Sequence, residues 1–428
     1  MTHVQGLFNY RAMKKFALGC YLLLAQFCNP LFCQSESEED RTCQSYNSAM
    51  QIVSQLRDLE FRKNVRCRAL NSKQFQEIFS DRIEPQIDSE RLAYEGMVYK
   101  ILGFIPNDFD YSRCILESYL SETAAFYRPE KNDYIVNTSQ QAGLATAVHE
   151  LTHALQQQHF AIKRPAENAA DSSDLTMAKS ALIEGDAVRI EEMLPVMQQQ
   201  APILKTALAI QNNNVTLLRP CKMPATIEAL MGFAYEKGQP FVEYLVKRGG
   251  NQLLNLAFRT PPIATSDILH PEQYIGRILT RGKQQSSQNL IKHQLDGTEI
   301  FSDSLGEFFI ETLLRFYIQK NNTANLAAHV RDDRVTLFQE NDGKKRLIWT
   351  TLWNSNENSK LFAETLLQIT LNRFKNGNVR EGDRRGAFIV PSFGEVVILS
   401  NSARVDFIFE SNSSVLTLRP NSLLMIPK

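Results

Sequence analysis

Two histidines and a glutamate in Thr146-Ala-Val-His149-Glu150-Leu-Thr-His153-Ala-Leu155 carry the most specific chemistry in the chain. On a helix, residues four apart share a face and stand one above the other. Two imidazoles placed this way can bind one zinc ion from the same side. Glu150 then lies beside the metal, where it can take a proton from metal-bound water. Scattering 7 histidines and 47 acidic residues at random through 428 positions, with every acid counted as glutamate, gives about 0.01 such patterns. The plainer reading is a helix with two incidental histidines.

The surrounding residues supply the helix. Leu144, Val148, Leu151 and Leu155 recur at helical spacing and form an apolar stripe beside the histidines. Asn137, Thr138 and Ser139 are candidate N-caps upstream. Before them, aromatic and β-branched residues flank Pro129-Glu-Lys-Asn-Asp133, which predicts two short strands around a turn over residues 124–136. An edge strand there can pair with an extended peptide.

A third metal ligand has two candidates. His159 would extend the motif to His149-Glu-x-x-His153-x-x-Gln156-x-x-His159, which is similar to the metzincin motif except that Gln156 replaces glycine. A residue six positions on lies about 120° round a continuing helix, so His159 needs a sharp turn that Gln156, Gln157 and Gln158 do not favour. Glu184, in Ala181-Leu-Ile-Glu184-Gly-Asp-Ala187, is the favoured candidate. Asp171, Ser172 or Ser173 can cap its helix, and Leu175, Leu182, Ile183, Val188 and Ile190 supply its apolar residues. Gly185 and Ala187 predict close packing, here against the histidine helix. Two histidines and one carboxylate leave a fourth zinc position open to water. The plainer reading of Glu184 is a surface acid near Glu191 and Glu192.

On these residues the chain resembles the gluzincins, the thermolysin-like clan of zinc peptidases. Glu184-Gly-Asp-Ala resembles the Glu-Gly-Phe-Ala ligand motif of the aminopeptidase N family, and Tyr235-Glu-Lys-Gly238 is similar to its Tyr-x-Lys-Gly segment. The resemblance implies that Tyr235 donates to the developing oxyanion. The chain departs from those families in its spacer of thirty residues between His153 and Glu184. It also has Val188 where an orienting acid is expected, leaving Asp186 or Asp171 for that task. The Gly-x-Met-Glu-Asn motif that anchors a substrate N-terminus is absent, which points away from an exopeptidase. Leu269-His270-Pro-Glu272-Gln-Tyr274 is similar to a segment of uncharacterised exported bacterial zinc-protease-like proteins. His270 follows turn-rich sequence and is expected on a loop, as a structural residue more than a catalytic one.

The remaining sequence bounds the class of protein. At 428 residues, 43% hydrophobic and 22% charged with zero formal net charge, the chain suits two or three globular domains and gives no reason to expect a nucleic-acid partner. Arg11, Lys14 and Lys15 precede an apolar run from Phe16 to Cys33, which predicts a signal peptide over residues 1–35 and no membrane span after its removal. Cys43, Cys67, Cys114 and Cys221 then remain, an even number that suits two disulfides of undetermined pairing in an oxidising compartment. Helical periodicity predicts an N-terminal helical region over 36–105, and the resemblance implies a zincin-like catalytic domain over 106–285. Leu305–Ile318 reads as helix, Leu347–Trp353 as strand, and short β runs follow Gly386, which predicts an α+β C-terminal domain over 286–428. His293 and His329 are isolated and expected to be structural. The fold class expected is α+β, mainly helical around the site with a small sheet.

The expected activity is hydrolysis of peptide bonds by an exported zinc metallopeptidase. His149, His153 and Glu184 would hold zinc, Glu150 would act as general base, and the partner would be a peptide or protein substrate. The rival readings are a non-catalytic binding or assembly protein that retains a zinc site, and a metzincin that uses His159.

Overall fold

A computed structural model of the chain describes residues 43, 46–83, 88–121, 124–140, 142–162, 171–194, 221–280, 291–293, 297–317, 323–373, 380–381, 387–390 and 394–411. The expected signal segment lies outside them. The first part runs α1 (Tyr46–Arg57), β1 (Arg66–Leu70), α2 (Ser72–Ile83), α3 (Ser89–Leu102), α4 (Tyr111–Ser121), β2 (Ala125–Arg128) and β3 (Asp133–Asn137). A run of helices follows: α5 (Leu144–Phe160), α6 (Ser173–Glu192), α7 (Ala225–Glu236), α8 (Gly238–Arg259), α9 (Thr265–Leu269) and α10 (Pro271–Leu279). The last part holds β4 (Thr298–Asp303), α11 (Gly306–Tyr317), α12 (Thr323–Ala327), β5 (Val330–Gln339), β6 (Lys345–Trp353) and α13 (Asn356–Arg373). Four strands end it: β7 (Arg380–Glu381), β8 (Ala387–Val390), β9 (Gly394–Asn401) and β10 (Arg404–Ser411). The fold is α+β.

The strands form a three-stranded sheet of order β1-β3-β2 and a seven-stranded sheet of order β4-β5-β6-β10-β9-β8-β7. In the small sheet β3 is central and all five of its residues are buried. It pairs antiparallel with β2, the expected hairpin, and parallel with β1. Strand β1 was not expected. Its residues, Arg-Cys-Arg-Ala-Leu, show no clean alternation, and its pairing with a strand more than sixty residues on is a tertiary matter. Disulfides join Cys43 to Cys67 and Cys114 to Cys221.

Among the described residues four buried clusters divide the apolar side chains, the smallest being Leu70, Phe75, Phe79, Phe126 and Ile135 between α2 and the small sheet. Helices α1 and α5 pack on the small sheet through Tyr46, Ala49, Val53, Tyr134, Val136, Leu144, Val148, Leu151 and Leu155. The apolar stripe read from α5 is therefore the face it buries. A second core joins α6 to α7 and α8 through Ala178, Ala181, Leu182, Phe233, Phe241, Val242 and Leu245. A third lies against the large sheet and includes Trp349, Trp353, Phe362, Phe407 and Phe409. It also takes in Met97, Tyr99 and Leu102 of α3 and Tyr111 and Ile115 of α4, so helices on both sides of the expected boundary at 105 share it.

Local signals account for some helix ends. Ser172 caps α6 by accepting from Leu175 N at 3.3 Å. Helix α5 begins instead at Gly143, with no side-chain cap, so Asn137, Thr138 and Ser139 do not serve it. His270 sits between two short helices, α9 and α10, rather than on an extended loop. Helix α8 kinks at Gly249–Gly250, where Gly250 has φ 63° and ψ −167°, a backbone region open to little besides glycine.

The small residues on α6 do predict a close approach, but to a different neighbour. A Cβ on Gly185 would lie 2.2 Å from the carbonyl carbon of Gly238, and one on Gly238 would lie 2.1 Å from Ala181 O. The glycines thus seat α6 against the start of α8, not against the histidine helix. Both contacts are to backbone, which cannot move aside as a side chain can. Gly185→Ala should therefore lower stability by about 1–3 kcal/mol or more. Urea unfolding should show a lower midpoint at unchanged slope; an unshifted midpoint would contradict the close packing.

Candidate metal centre

Helix α5 buries Leu144, Val148, Leu151 and Leu155 and carries its histidines along the edge of that stripe. The His149 and His153 rings have centroids 4.8 Å apart. Across from them, α6 presents Glu184. One carboxylate oxygen of Glu184 lies 3.2 Å from His149 Nε2 and 3.4 Å from His153 Nε2. One donor atom from each of the three side chains falls within 4.8 Å of the others, and among the described residues no other such cluster is close enough to hold an ion. The side chains are 16%, 10% and 23% exposed, so the cluster is reachable from solvent without being loose in it. Two imidazole nitrogens and one carboxylate oxygen aimed at one point suit the donor set of an open zinc site.

The other ring nitrogens face away from Glu184 and have partners. His149 Nδ1 lies 3.2 Å from a carboxylate oxygen of Glu191, and His153 Nδ1 lies 3.1 Å from Gln156 Oε1. Gln156 Nε2 in turn donates to Asp186 Oδ2 at 3.0 Å. Asp186 also accepts from Arg57 Nε at 3.0 Å, and Arg57 donates to Asn251 and Asn255 of the kinked α8 at 3.3 and 3.0 Å. Asp186 thus supports the site through Gln156 and not by direct contact with a ring. Asp171, the other acid considered for that task, is paired with Lys179 at 2.5 Å.

Electrostatics matches the geometry. Burial pulls His149 toward the neutral form, but its hydrogen bonds to Glu184 and Glu191 outweigh this and push its pKa up to about 10. Burial works on Glu184 in the opposite sense. The neighbouring charge of His153 and the hydrogen bond from His149 overcome it and hold the carboxyl well below its usual range. The pocket strongly favours positive charge between its donors.

Glu150 is held at the same place by the small sheet. One of its carboxylate oxygens accepts the backbone N–H of Tyr127, on edge strand β2, at 2.8 Å. Tyr235 lies on the last turn of α7 and is 48% exposed. Gly238, three residues on, presses against the backbone of α6 at Ala181 and Gly185. His159 stays outside it. Helix α5 continues through the three glutamines to Phe160, and His159 Nε2 meets Glu60 O at 2.8 Å. His270 Nε2 lies 2.8 Å from Glu307 Oε1. His293 sits between Thr336 and Thr350, and His329 beside Asn354.

No family model matches the chain, and no curated protein matches it. Among solved structures it is similar to a Chloroflexus aurantiacus protein described provisionally as a hydrolase with a novel fold, at 12% identity and a TM-score of 0.34, over 65% of this chain and 100% of that one. At that score the likeness carries no argument about fold or activity.

Three residues at the site had gone unassigned. Glu191 stands seven after Glu184, about 20° round the helix from it, so two turns of α6 present both carboxylates on one face. Gln156 stands three after His153, within side-chain reach on a helix. Arg57 carries no local signal at all.

The pKa of His149 has a consequence for the metal-free protein. A folded pKa near 10 against an ordinary 6.5 means that the protonated ring stabilises the fold fully below pH 6.5, and that this contribution is lost as pH rises toward 10. Protein stripped with a chelator should melt at progressively lower temperature over that window. His149→Gln should flatten the slope; an equal slope in the variant would contradict the assignment.

Proposed function

We propose that this chain is an exported zinc-dependent metallopeptidase of gluzincin type that cleaves peptide or protein substrates internally. The observation that carries the reading is the meeting of His149 Nε2, His153 Nε2 and one Glu184 oxygen from two packed helices. The residues present fit the metal: two neutral imidazoles and a carboxylate, with both imidazole Nδ1 atoms held by acceptors. A zinc ion bound there would supply Lewis acidity, acidifying a water and polarising a carbonyl.

The chain's own groups would do the rest. Glu150 is oriented by the Tyr127 amide through one oxygen, and its other oxygen would take a proton from the attacking water and pass it to the leaving amine. An extended peptide would pair along the edge of β2, which brings its carbonyl groups to the strand that holds Glu150. Tyr235 would donate its hydroxyl to the oxyanion from the end of α7, as the resemblance to Tyr-x-Lys-Gly implies. The missing N-terminus anchor supports endopeptidase action. Two disulfides, together with the basic and apolar leader, support export to an oxidising compartment.

Glu150→Gln separates metal binding from chemistry. The variant should bind zinc as the wild type does and lose peptide cleavage by about 10²–10⁴-fold. A wild type that binds zinc yet cleaves nothing in a diverse peptide library would instead favour a non-catalytic binding protein. For the ligand set, Glu184→Ala should weaken zinc binding and His159→Ala should leave it intact; the reverse pattern would favour a metzincin.

A further inference from the structure

We propose that Gln156 sets the tautomer and the orientation of the His153 ring, and that the buried Asp186–Arg57 pair holds Gln156 to that task. The inference rests on the metal reading above. It goes beyond the ligands to a positioning chain of four side chains from three helices.

The argument turns on which end of the Gln156 amide faces which neighbour. Its Nε2 donates to Ile183 O and to Asp186 Oδ2, both at 3.0 Å. A carbonyl and a carboxylate can only accept, so the NH₂ end must face them. A flipped amide would set Oε1 against two acceptors in a place without water: Gln156 is 1% exposed and Asp186 0%. The amide oxygen therefore faces His153 Nδ1, 3.1 Å away. An oxygen there requires a proton on Nδ1, which leaves Nε2, 3.4 Å from a Glu184 oxygen, as the ring nitrogen that faces the carboxylate and any ion held beside it. Helix α5 alone would leave the tautomer open.

Asp186 keeps the arrangement from slipping. It offers the same oxygen to Gln156 Nε2 and to Arg57 Nε, and Arg57 is itself buried and tied to Asn251 and Asn255. Arg189 lies 3.6 Å from the other Asp186 oxygen. The ring of His153 is thereby indexed to α1, α6 and α8. His149 has a weaker counterpart in Glu191, whose side chain is 38% exposed.

The test uses the full mature protein, its Gln156→Met variant and Zn²⁺. Histidine ring ¹⁵N spectra of the metal-free wild type should show a hydrogen-bonded proton on His153 Nδ1, and the variant should lose that signal. Zinc affinity, measured by competition with a chelator, should fall by about 10–100-fold in the variant. A wild-type His153 without a proton on Nδ1 overturns the proposal however the variant behaves, and so does a variant whose Nδ1 signal is unchanged. Failure of the wild type to bind zinc would instead sink the metal reading, and the ¹⁵N spectra would still decide the role of Gln156.

Discussion

Asp186 is a carboxylate with no exposed surface, set between Arg57 and Arg189 and bonded to Gln156. A buried charge is tolerated only when it is paired and hydrogen-bonded, so the partners must stay where they are. They come from α1, α5 and α6, with α8 reached through Arg57. That requirement fixes how the histidine helix lies against α6. Glu184 is two residues from Asp186 on the same helix, so its place opposite the imidazoles is inherited from the buried pair. The polar centre of the molecule and its candidate metal centre are thus one structural problem.

The backbone contact between Gly185 and Gly238 constrains the same helix from its other side. One flank of α6 is set by charge and the other by the lack of side chains. Between them little freedom is left for the turn that carries Glu184. The same contact sets the start of α8 against that turn. The large sheet is built on a separate core with α3, α4, α11 and α13. It contributes none of His149, Glu150, His153 or Glu184, which belong to α5 and α6.

Much of this was legible in the residues. The spacing of His149 and His153, the apolar stripe beside them, the hairpin of β2 and β3 and the second helix with Glu184 all depend on local periodicity, which a sequence displays directly. What was hidden depends on distant pairing. Strand β1 exists because β3 accepts it in parallel register. Arg57 matters only because folding brings it to Asp186, 129 positions on. Gln156 was visible as a departure from a glycine, but its task follows from Ile183 and Asp186, which no pattern around it reveals. Glu191 was given no task, although its seven-residue offset from Glu184 placed it on the ligand face. Gly185 pointed correctly to a close approach and could not name the partner, since a glycine reports room for a neighbour and not which one.

The account rests on one ion held between α5 and α6, and X-ray diffraction from zinc-grown crystals at the zinc absorption edge tests it most directly. A single anomalous peak bonded to His149 Nε2, His153 Nε2 and a Glu184 oxygen is the result expected. A zinc peak at His159 in place of Glu184, or no peak between the two helices, would contradict it.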